Sequence, residues 1–162
     1  MTSTPTSLIV KITNQLPLVE KIFLEALAIG TVLTLLSIDS SVTKFSLLGL
    51  GVIFFLMTYS PTDLPGEEGE KFGFTELLAW AIVPKVMWIS SAVSAFAISF
   101  YLFDFGNDGY KKMLMIGGST IGIGILLLTF FLISGVKHLK MVTPILLRAV
   151  PLFLVDIYIF LK

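Results

Sequence analysis

Two long apolar stretches limit what this chain can fold into. Residues 77–103 contain one charged side chain, Lys85, and residues 113–136 contain none. A bilayer core about 30 Å thick is crossed by roughly 20 apolar residues, because each residue advances a helix by about 1.5 Å. Both stretches are long enough to cross. The sequence therefore predicts an integral membrane protein made of α-helices.

The composition extends this prediction to the whole chain. Of its 162 residues, 56% are hydrophobic and 14% are charged, whereas soluble proteins carry about 25% charged residues. We expect an all-α fold, a polytopic transmembrane helical bundle that forms a single membrane domain over residues 1–162. The predicted helices cover about 22–38, 45–59, 77–103, 113–136 and 141–161.

The N-terminal part is less regular. Residues 1–16 place Leu8, Ile12 and Leu16 four residues apart, which puts them on one helical face. We expect either an interfacial helix or a mobile tail there. The first two predicted helices are short for a full span, so a thinned bilayer, tilted neighbours or a partly re-entrant hairpin would each fit.

The distribution of basic residues predicts the orientation. With five crossings, more lysines fall on the N-terminal side of the membrane than on the other: Lys11, Lys21, Lys71, Lys137 and Lys140 against Lys44, Lys111, Lys112 and Lys162. Basic loop residues favour the cytoplasmic side. We therefore expect the N-terminus inside the cell.

Several chemistries are not supported by the residues present. The formal net charge is zero and no basic block occurs, so nucleic acid is not an expected partner. The chain has no cysteine, and its single histidine, His138, leaves too few imidazoles for an ordinary zinc or haem site. We predict no catalytic, cofactor-binding or metal-binding residues and expect a protein that is not an enzyme.

Charged side chains inside the predicted helices are the first candidate site. They are Glu25, Lys85, Arg148 and Asp156. A charge at the bilayer centre costs at least about 2.5–3.5 kcal/mol on insertion scales, so these groups should face protein or water. Glu25 is expected to pair with Lys85 or Arg148 in one half of the bilayer, with Glu76 as a second acid. Asp156 lies nearer the opposite face, within reach of Lys111 or Lys112. The cluster is either an ion pathway or a structural ion network.

Small residues at four-residue spacing are the second candidate. They are Ala26 and Gly30, Ser91, Ala95 and Ser99, and Gly118 and Gly122. Such residues let helix backbones approach closely. We expect packing between helices of one chain, with oligomerisation as the alternative.

The two halves of the helical region resemble each other. Residues 30–38 followed by 47–49 are similar to residues 97–105 followed by 115–117, with offsets of 67 and 68. This predicts two related helical hairpins followed by one C-terminal helix. The alternative is that any two apolar hairpins look alike.

One hairpin also resembles a known family. Gly109 lies in a short turn, and residues 113–117, Met-Leu-Met-Ile-Gly, open the helix that follows. Residues 92–132 are in this respect similar to the two-helix hairpin of the inner-membrane motor subunit of gliding motility and type 9 secretion. That family has a lysine late in its first helix and a glutamate early in its second, where this chain has Phe103 and Ile121. The resemblance implies a related hairpin in a bacterial inner (cytoplasmic) membrane, without the motor chemistry.

Two functions are therefore expected. The first is a non-catalytic accessory or scaffolding subunit of a larger membrane complex, with the lipid bilayer and other membrane subunits as partners. The alternative is a small transporter or channel that uses the intramembrane charge cluster. A water-filled cavity lined by those charges would favour transport, and a dry bundle with an apolar outer groove would favour the subunit.

Overall fold

A computed structural model describes the backbone of residues 6–38, 40–60, 73–105, 108–136 and 139–162, with side chains from residue 14 onward apart from that of Met141. The described residues form an all-α bundle, which confirms the predicted fold class. Its helices are α1 (Thr6–Leu35), α2 (Ser41–Met57), α3 (Phe74–Leu102), α4 (Gly109–Ile133) and α5 (Thr143–Leu161).

Four helices lie within a few residues of their predicted ranges, and α1 differs. It was expected to begin near residue 22 but is already helical at Thr6 and continues through Pro17. The described part of the predicted tail is therefore helical. Residues 1–5 lie outside the described part, so their expected structure is a prediction still.

Three helices end in the same local structure. Ser37, Asp104 and Gly135 have positive φ angles of 57°, 52° and 77°, each two residues beyond the end of α1, α3 or α4. The amide that follows each of them donates to a carbonyl five residues earlier, as from Ile38 to Leu33 at 3.0 Å, which is the bond pattern of a Schellman cap. Because α4 ends this way as well, the shared ends of α1 and α3 reflect ordinary capping, and the duplication stays a prediction.

A π-helical turn lies near the start of the central helix. After one α-helical turn at Phe74–Leu77, the π turn covers Leu78–Ile82 and ends two residues before Pro84. Proline has no amide hydrogen and its ring crowds the carbonyl four residues earlier. A wider turn at this point accommodates that carbonyl within an otherwise continuous α3.

The long helix α3 lies at the centre of the bundle. It packs against α2, α4 and α5, while α1 packs against α2. Ser91, Ala95 and Ser99 are fully buried on α3, which shows how closely the neighbouring helices approach it. Leu152 of α5 touches all three apolar clusters of the core. The fifth helix therefore closes one side of the bundle against α3.

The helices differ in their suitability for crossing a bilayer. By length and composition, α3, α4 and α5 are candidate membrane spans, and α2 is a shorter apolar helix. The first helix carries Glu20 and Lys21 side by side and Glu25 about one turn later, so its most apolar part is short. Among the residues that the structure describes, three helices are long and apolar enough to cross a membrane, and the five-crossing topology and its orientation stay predictions.

Candidate functional site

An ion pair between a half-buried arginine and a buried glutamate joins α1 to α5. The Arg148 guanidinium donates from Nε to Glu20 Oε1 and from Nη2 to Glu20 Oε2, the second at 2.8 Å. Glu20 is only 1% exposed. A planar guanidinium that binds both oxygens of one carboxylate is the strongest arrangement for such a pair. Both charges are compensated inside the protein.

The rest of the Arg148 side chain is also held. Nη1 donates to the carbonyl oxygen of Pro144 at 2.7 Å, and the guanidinium carbon lies 5.6 Å from the centre of the Trp88 ring. The ring face attracts a cation by its quadrupole. These contacts fix the guanidinium in one orientation, which is the behaviour of a structural pair.

The structure corrects the predicted partner of this arginine. Glu25 forms an exposed pair with Lys21 at 3.9 Å and does not meet Arg148, and Lys85 lies exposed on α3. Because α1 is helical from Thr6 onward, residues five apart point in clearly different directions at 3.6 residues per turn. Glu20 therefore faces the bundle when Glu25 faces outward. The expected cluster of Glu25, Lys85 and Arg148 does not form.

A second buried acid lies between α3, α4 and α5. Asp156 is 2% exposed, and its Oδ2 accepts a hydrogen bond of 2.5 Å from Ser94 Oγ. Its other carboxylate oxygen, Oδ1, has no hydrogen-bond partner, and neither has the hydroxyl of fully buried Ser91, one turn earlier on α3. An unsatisfied buried polar group costs about 1–3 kcal/mol, and more when it is charged. Asp156 is thus only half satisfied within the described residues.

Glycines let α4 approach this acid. A methyl group added at Gly118 would lie 3.3 Å from Asp156 Oδ2, and one added at Gly117 would lie 2.5 Å from Ser94 Oγ and 3.1 Å from the Ser94 amide nitrogen. Ordinary side chains do not fit at Gly117 without a shift of α3. The two glycines therefore set the distance between α4 and the hydrogen bond of Ser94 with Asp156.

The expected lysine partners of Asp156 are engaged elsewhere or point away. Lys111 pairs with Asp108 at 2.9 Å, and that hydrogen bond lowers the pKa of Asp108. Lys112 is exposed at the start of α4. Among the described residues Asp156 forms no ion pair, because Ser94 occupies the position where a cation was expected.

The other predicted packing residues lie at contacts between helices. A methyl group at Gly30 would come within 2.6 Å of the Thr43 backbone nitrogen, and one at Gly122 would lie 3.2 Å from the Phe153 ring. Ser99 Oγ donates to the Lys44 carbonyl at 3.0 Å. The neighbouring Ala26 is partly buried on α1. The structure places these close approaches within one chain.

Two apolar grooves run along the outer side of α4 and α5. The larger, of about 560 Å³, lies between the C-terminal half of α4 and the start of α5; Leu132 and Leu146 are among its wall residues, and Lys140 is the one charged residue that lines it. The smaller, of about 200 Å³, lies at the other end and reaches Asp156. Neither groove is lined by Glu25, Lys85 or Arg148.

Sequence reasoning missed Glu20, Ser94 and Gly117. The signal for Glu20 was present, because it continues the four-residue series that includes Leu16, and both are buried. Ser94 is three residues after Ser91, at a spacing that brings polar side chains to one helical face. No sequence feature distinguishes Gly117 from Gly118. Which of the two adjacent glycines contacts α3 depends on how α4 is rotated about its axis.

No known protein supplies a function by similarity. The part of the chain that the structure describes contains no group of three or more potential ligands placed to hold a metal ion. Comparison of the chain with protein-family models, curated proteins and solved structures finds no match in any of the three. The inference of function therefore rests on the geometry of the charges and grooves.

Proposed function

We propose that this chain is a non-catalytic accessory or scaffolding subunit of a larger membrane protein complex. The observation that carries the proposal is the pair of apolar grooves on the outer side of α4 and α5. A groove in a lipid-facing surface offers a shaped site for side chains of another transmembrane helix, and in a membrane such close packing drives association.

The burial of the helices supports this assignment. Half of the residues in the most apolar part of α3 are buried, but only 17% of those in α5. The fifth helix nevertheless binds both of its charged side chains, Arg148 and Asp156, to other helices and leaves a mostly apolar outer face. A peripheral helix of this kind is suited to form an interface with a second membrane protein.

The closed ion pair gives further support. Arg148 donates hydrogen bonds to both carboxylate oxygens of Glu20. It also donates to the Pro144 carbonyl and lies over the Trp88 ring. A pair held this firmly serves to anchor α1 to α5. A chain whose strongest buried charges are used for its own architecture fits a structural role.

A small transporter is the second candidate, favoured by a strip of buried polar groups between α3 and α5. Arg148 and Asp156 lie two helical turns apart on α5, and Ser91 and Ser94 face this region from α3. Buried polar groups at two depths are what an ion would require for passage through the bundle.

The cellular placement is part of the proposal. We propose the bacterial inner membrane with the N-terminus in the cytoplasm, on the basis of the lysine distribution and the resemblance of residues 92–132 to a motor-subunit hairpin. Single cysteines at Thr75, in the first turn of α3, and at Lys112, in the first turn of α4, test the topology in the otherwise cysteine-free chain. Impermeant thiol reagents should label the two positions from opposite sides of the membrane.

The function itself is tested by a matched pair of variants in the larger groove. Leu132→Trp fills the groove, whereas Ile133→Trp adds the same bulk to a neighbouring exposed position that does not line it. The tagged full chain is purified from native membranes in mild detergent and its bound proteins are identified. We expect a partner that Leu132→Trp loses and Ile133→Trp keeps.

The opposite results are equally informative. Purification of the wild-type chain without any stoichiometric partner contradicts the subunit assignment. Cation or proton flux in vesicles reconstituted with the pure chain, abolished by Asp156→Leu, establishes the transporter instead.

A further inference from the structure

The smaller groove is a site for one side chain. It is lined by Leu114, Met115, Gly118 and Ser119 from α4, and by Phe153, Asp156 and Phe160 among the residues of α5. Its volume of about 200 Å³ is comparable with that of one long side chain and is too small for a helix. Asp156 is the one charged residue in this lining, and the hydroxyl of Ser119 donates to the Ile116 carbonyl of its own helix; the other lining residues are apolar.

The acid in this groove lies below the ends of the helices. At about 1.5 Å per residue, Asp156 is roughly 8 Å from the end of α5, and its partner Ser94 is roughly 12 Å from the end of α3. The Oδ1 atom of Asp156 is buried and has no hydrogen-bond partner among the described residues. The faces of α3 and α4 packed against Asp156 present Ser94, Gly117 and Gly118 and no cation.

We propose that a lysine or arginine side chain on a transmembrane helix of a partner subunit enters this groove and pairs with Asp156. The proposal rests on the subunit function and names the chemistry of the partner. Long basic side chains have an aliphatic stem and a charged head. The apolar walls suit the stem, and Asp156 at the inner end suits the head.

The chain already contains one buried acid that is paired with a long basic side chain from another helix. Glu20, the other buried acid, receives Arg148 from a helix that is distant in sequence. For Asp156 the described part of the chain supplies only the hydroxyl of Ser94. A cation from a second protein would pair with Asp156 as Arg148 pairs with Glu20.

The test uses defined transmembrane peptides in vesicles. The full chain with Lys162→Cys carries a donor fluorophore near the groove and is reconstituted in phosphatidylcholine. Polyleucine peptides with one lysine at the depth of Asp156, or with leucine there, carry the acceptor. We expect the lysine peptide to associate at least about tenfold more tightly, because close charge pairs measured at a protein interface couple by at least about one decade in affinity.

Variants assign this preference to the groove. Asp156→Asn keeps the shape and the hydrogen bond with Ser94 but removes the charge, and should abolish the preference for the lysine peptide. Met115→Trp blocks the groove without touching the acid, and Ile116→Trp is its control, since the two native side chains are 64% and 62% exposed and only Met115 lines the groove. Met115→Trp should lose the preference and Ile116→Trp should keep it.

Several results would overturn the inference. Equal binding of the two peptides to the wild-type chain excludes a cation site. A preference that survives in Asp156→Asn shows that the carboxylate does not recognise the lysine, as when the acid simply carries a proton. Equal loss in Met115→Trp and Ile116→Trp places any binding outside the groove.

The experiments distinguish failure of the cation site at Asp156 from failure of the proposed subunit function. Retention of a native partner by both the wild-type chain and Asp156→Asn refutes the cation site and leaves the subunit assignment intact. Absence of any native partner of the wild-type chain refutes the subunit assignment, whichever peptide is bound. Thermal unfolding of each variant in detergent verifies that a lost interaction does not result from a lost fold.

Discussion

Two carboxylates are buried in this bundle to nearly the same extent, and their environments differ. Glu20 is 1% exposed and binds Arg148 through both oxygens, whereas Asp156 is 2% exposed and binds only Ser94 through one. Burial of a charge is costly unless it is paired and hydrogen-bonded. Glu20 therefore belongs to a completed structural contact, and Asp156 to one that is incomplete in the isolated chain.

The difference follows from the position of each acid in the bundle. Glu20 lies on α1 and can be reached by the long side chain of Arg148 across the surface of α3, beside Trp88. Asp156 lies where glycines bring α4 close to α3 and α5, and the residues in contact with it there are Ser94 and Gly118, which carry no charge. The small residues that bury Asp156 supply no cation from within the described part of the chain.

The largest effect should come from opening the completed pair. Arg148→Leu leaves Glu20 charged and unpaired in the bundle, which should lower the free energy of unfolding by about 3–5 kcal/mol. Denaturant titration of the purified protein in detergent measures it. Since replacing both partners by apolar residues can be nearly neutral, Glu20→Leu combined with Arg148→Leu should recover most of the loss. A double variant as unstable as Arg148→Leu would show that the pair is not the cause.

A smaller effect is expected when the incomplete site loses its one hydrogen bond. Ser94→Ala removes the donor to Asp156 Oδ2 and leaves both carboxylate oxygens unsatisfied, which should cost about 1–3 kcal/mol. The same titration serves as the measurement. Ser90→Ala is the matched control, because the Ser90 hydroxyl donates to the Val86 carbonyl within its own helix and its loss should be nearly silent. Equal destabilisation by the two variants would contradict the special role of Ser94.

The close approach of α4 to this site gives the next prediction. Gly117→Ala places a methyl group against the Ser94 backbone and should destabilise the bundle toward the lower end of the range of about 1–3 kcal/mol that overpacking costs. Gly122→Ala meets only the edge of the Phe153 ring at 3.2 Å, which can move by a few tenths of an ångström. Thermal unfolding should therefore rank Gly117→Ala well below Gly122→Ala. The reverse order would mean that α4 is rotated so that Gly117 does not face Ser94.

The smallest effect should come from the acid that the sequence favoured. Glu25 is paired with Lys21 on an exposed face of α1, and exposed pairs contribute at most about 1 kcal/mol. Glu25→Gln should change the free energy of unfolding by no more than about 0.5 kcal/mol. A loss as large as that of Arg148→Leu would restore Glu25 as the buried partner.

Most of the fold could be predicted from local properties of the sequence. The lengths of the apolar stretches predicted α3, α4 and α5 to within a few residues, because a helix that faces lipid must stay apolar along its whole length. The start of α1 could not be found in this way. Its N-terminal half is polar, and its helical state was indicated only by the spacing of Leu8, Ile12 and Leu16.

The partners of the charges could not be predicted, and the reason is geometric. Arg148 and Asp156 were recognised as unusual from their apolar surroundings alone, since a charge in such a helix must face protein or water. Arg148 meets Glu20, and Asp156 meets Ser94, because of how α1 and α3 are rotated about their own axes. A rotation of one residue, about 100° at 3.6 residues per turn, would have presented different side chains. The sequence by itself determined that this chain is a bundle of apolar helices with costly charges, because hydrophobicity and helix length are local quantities. Only the tertiary structure decided which charges meet, because that depends on the relative rotation of helices far apart in the chain.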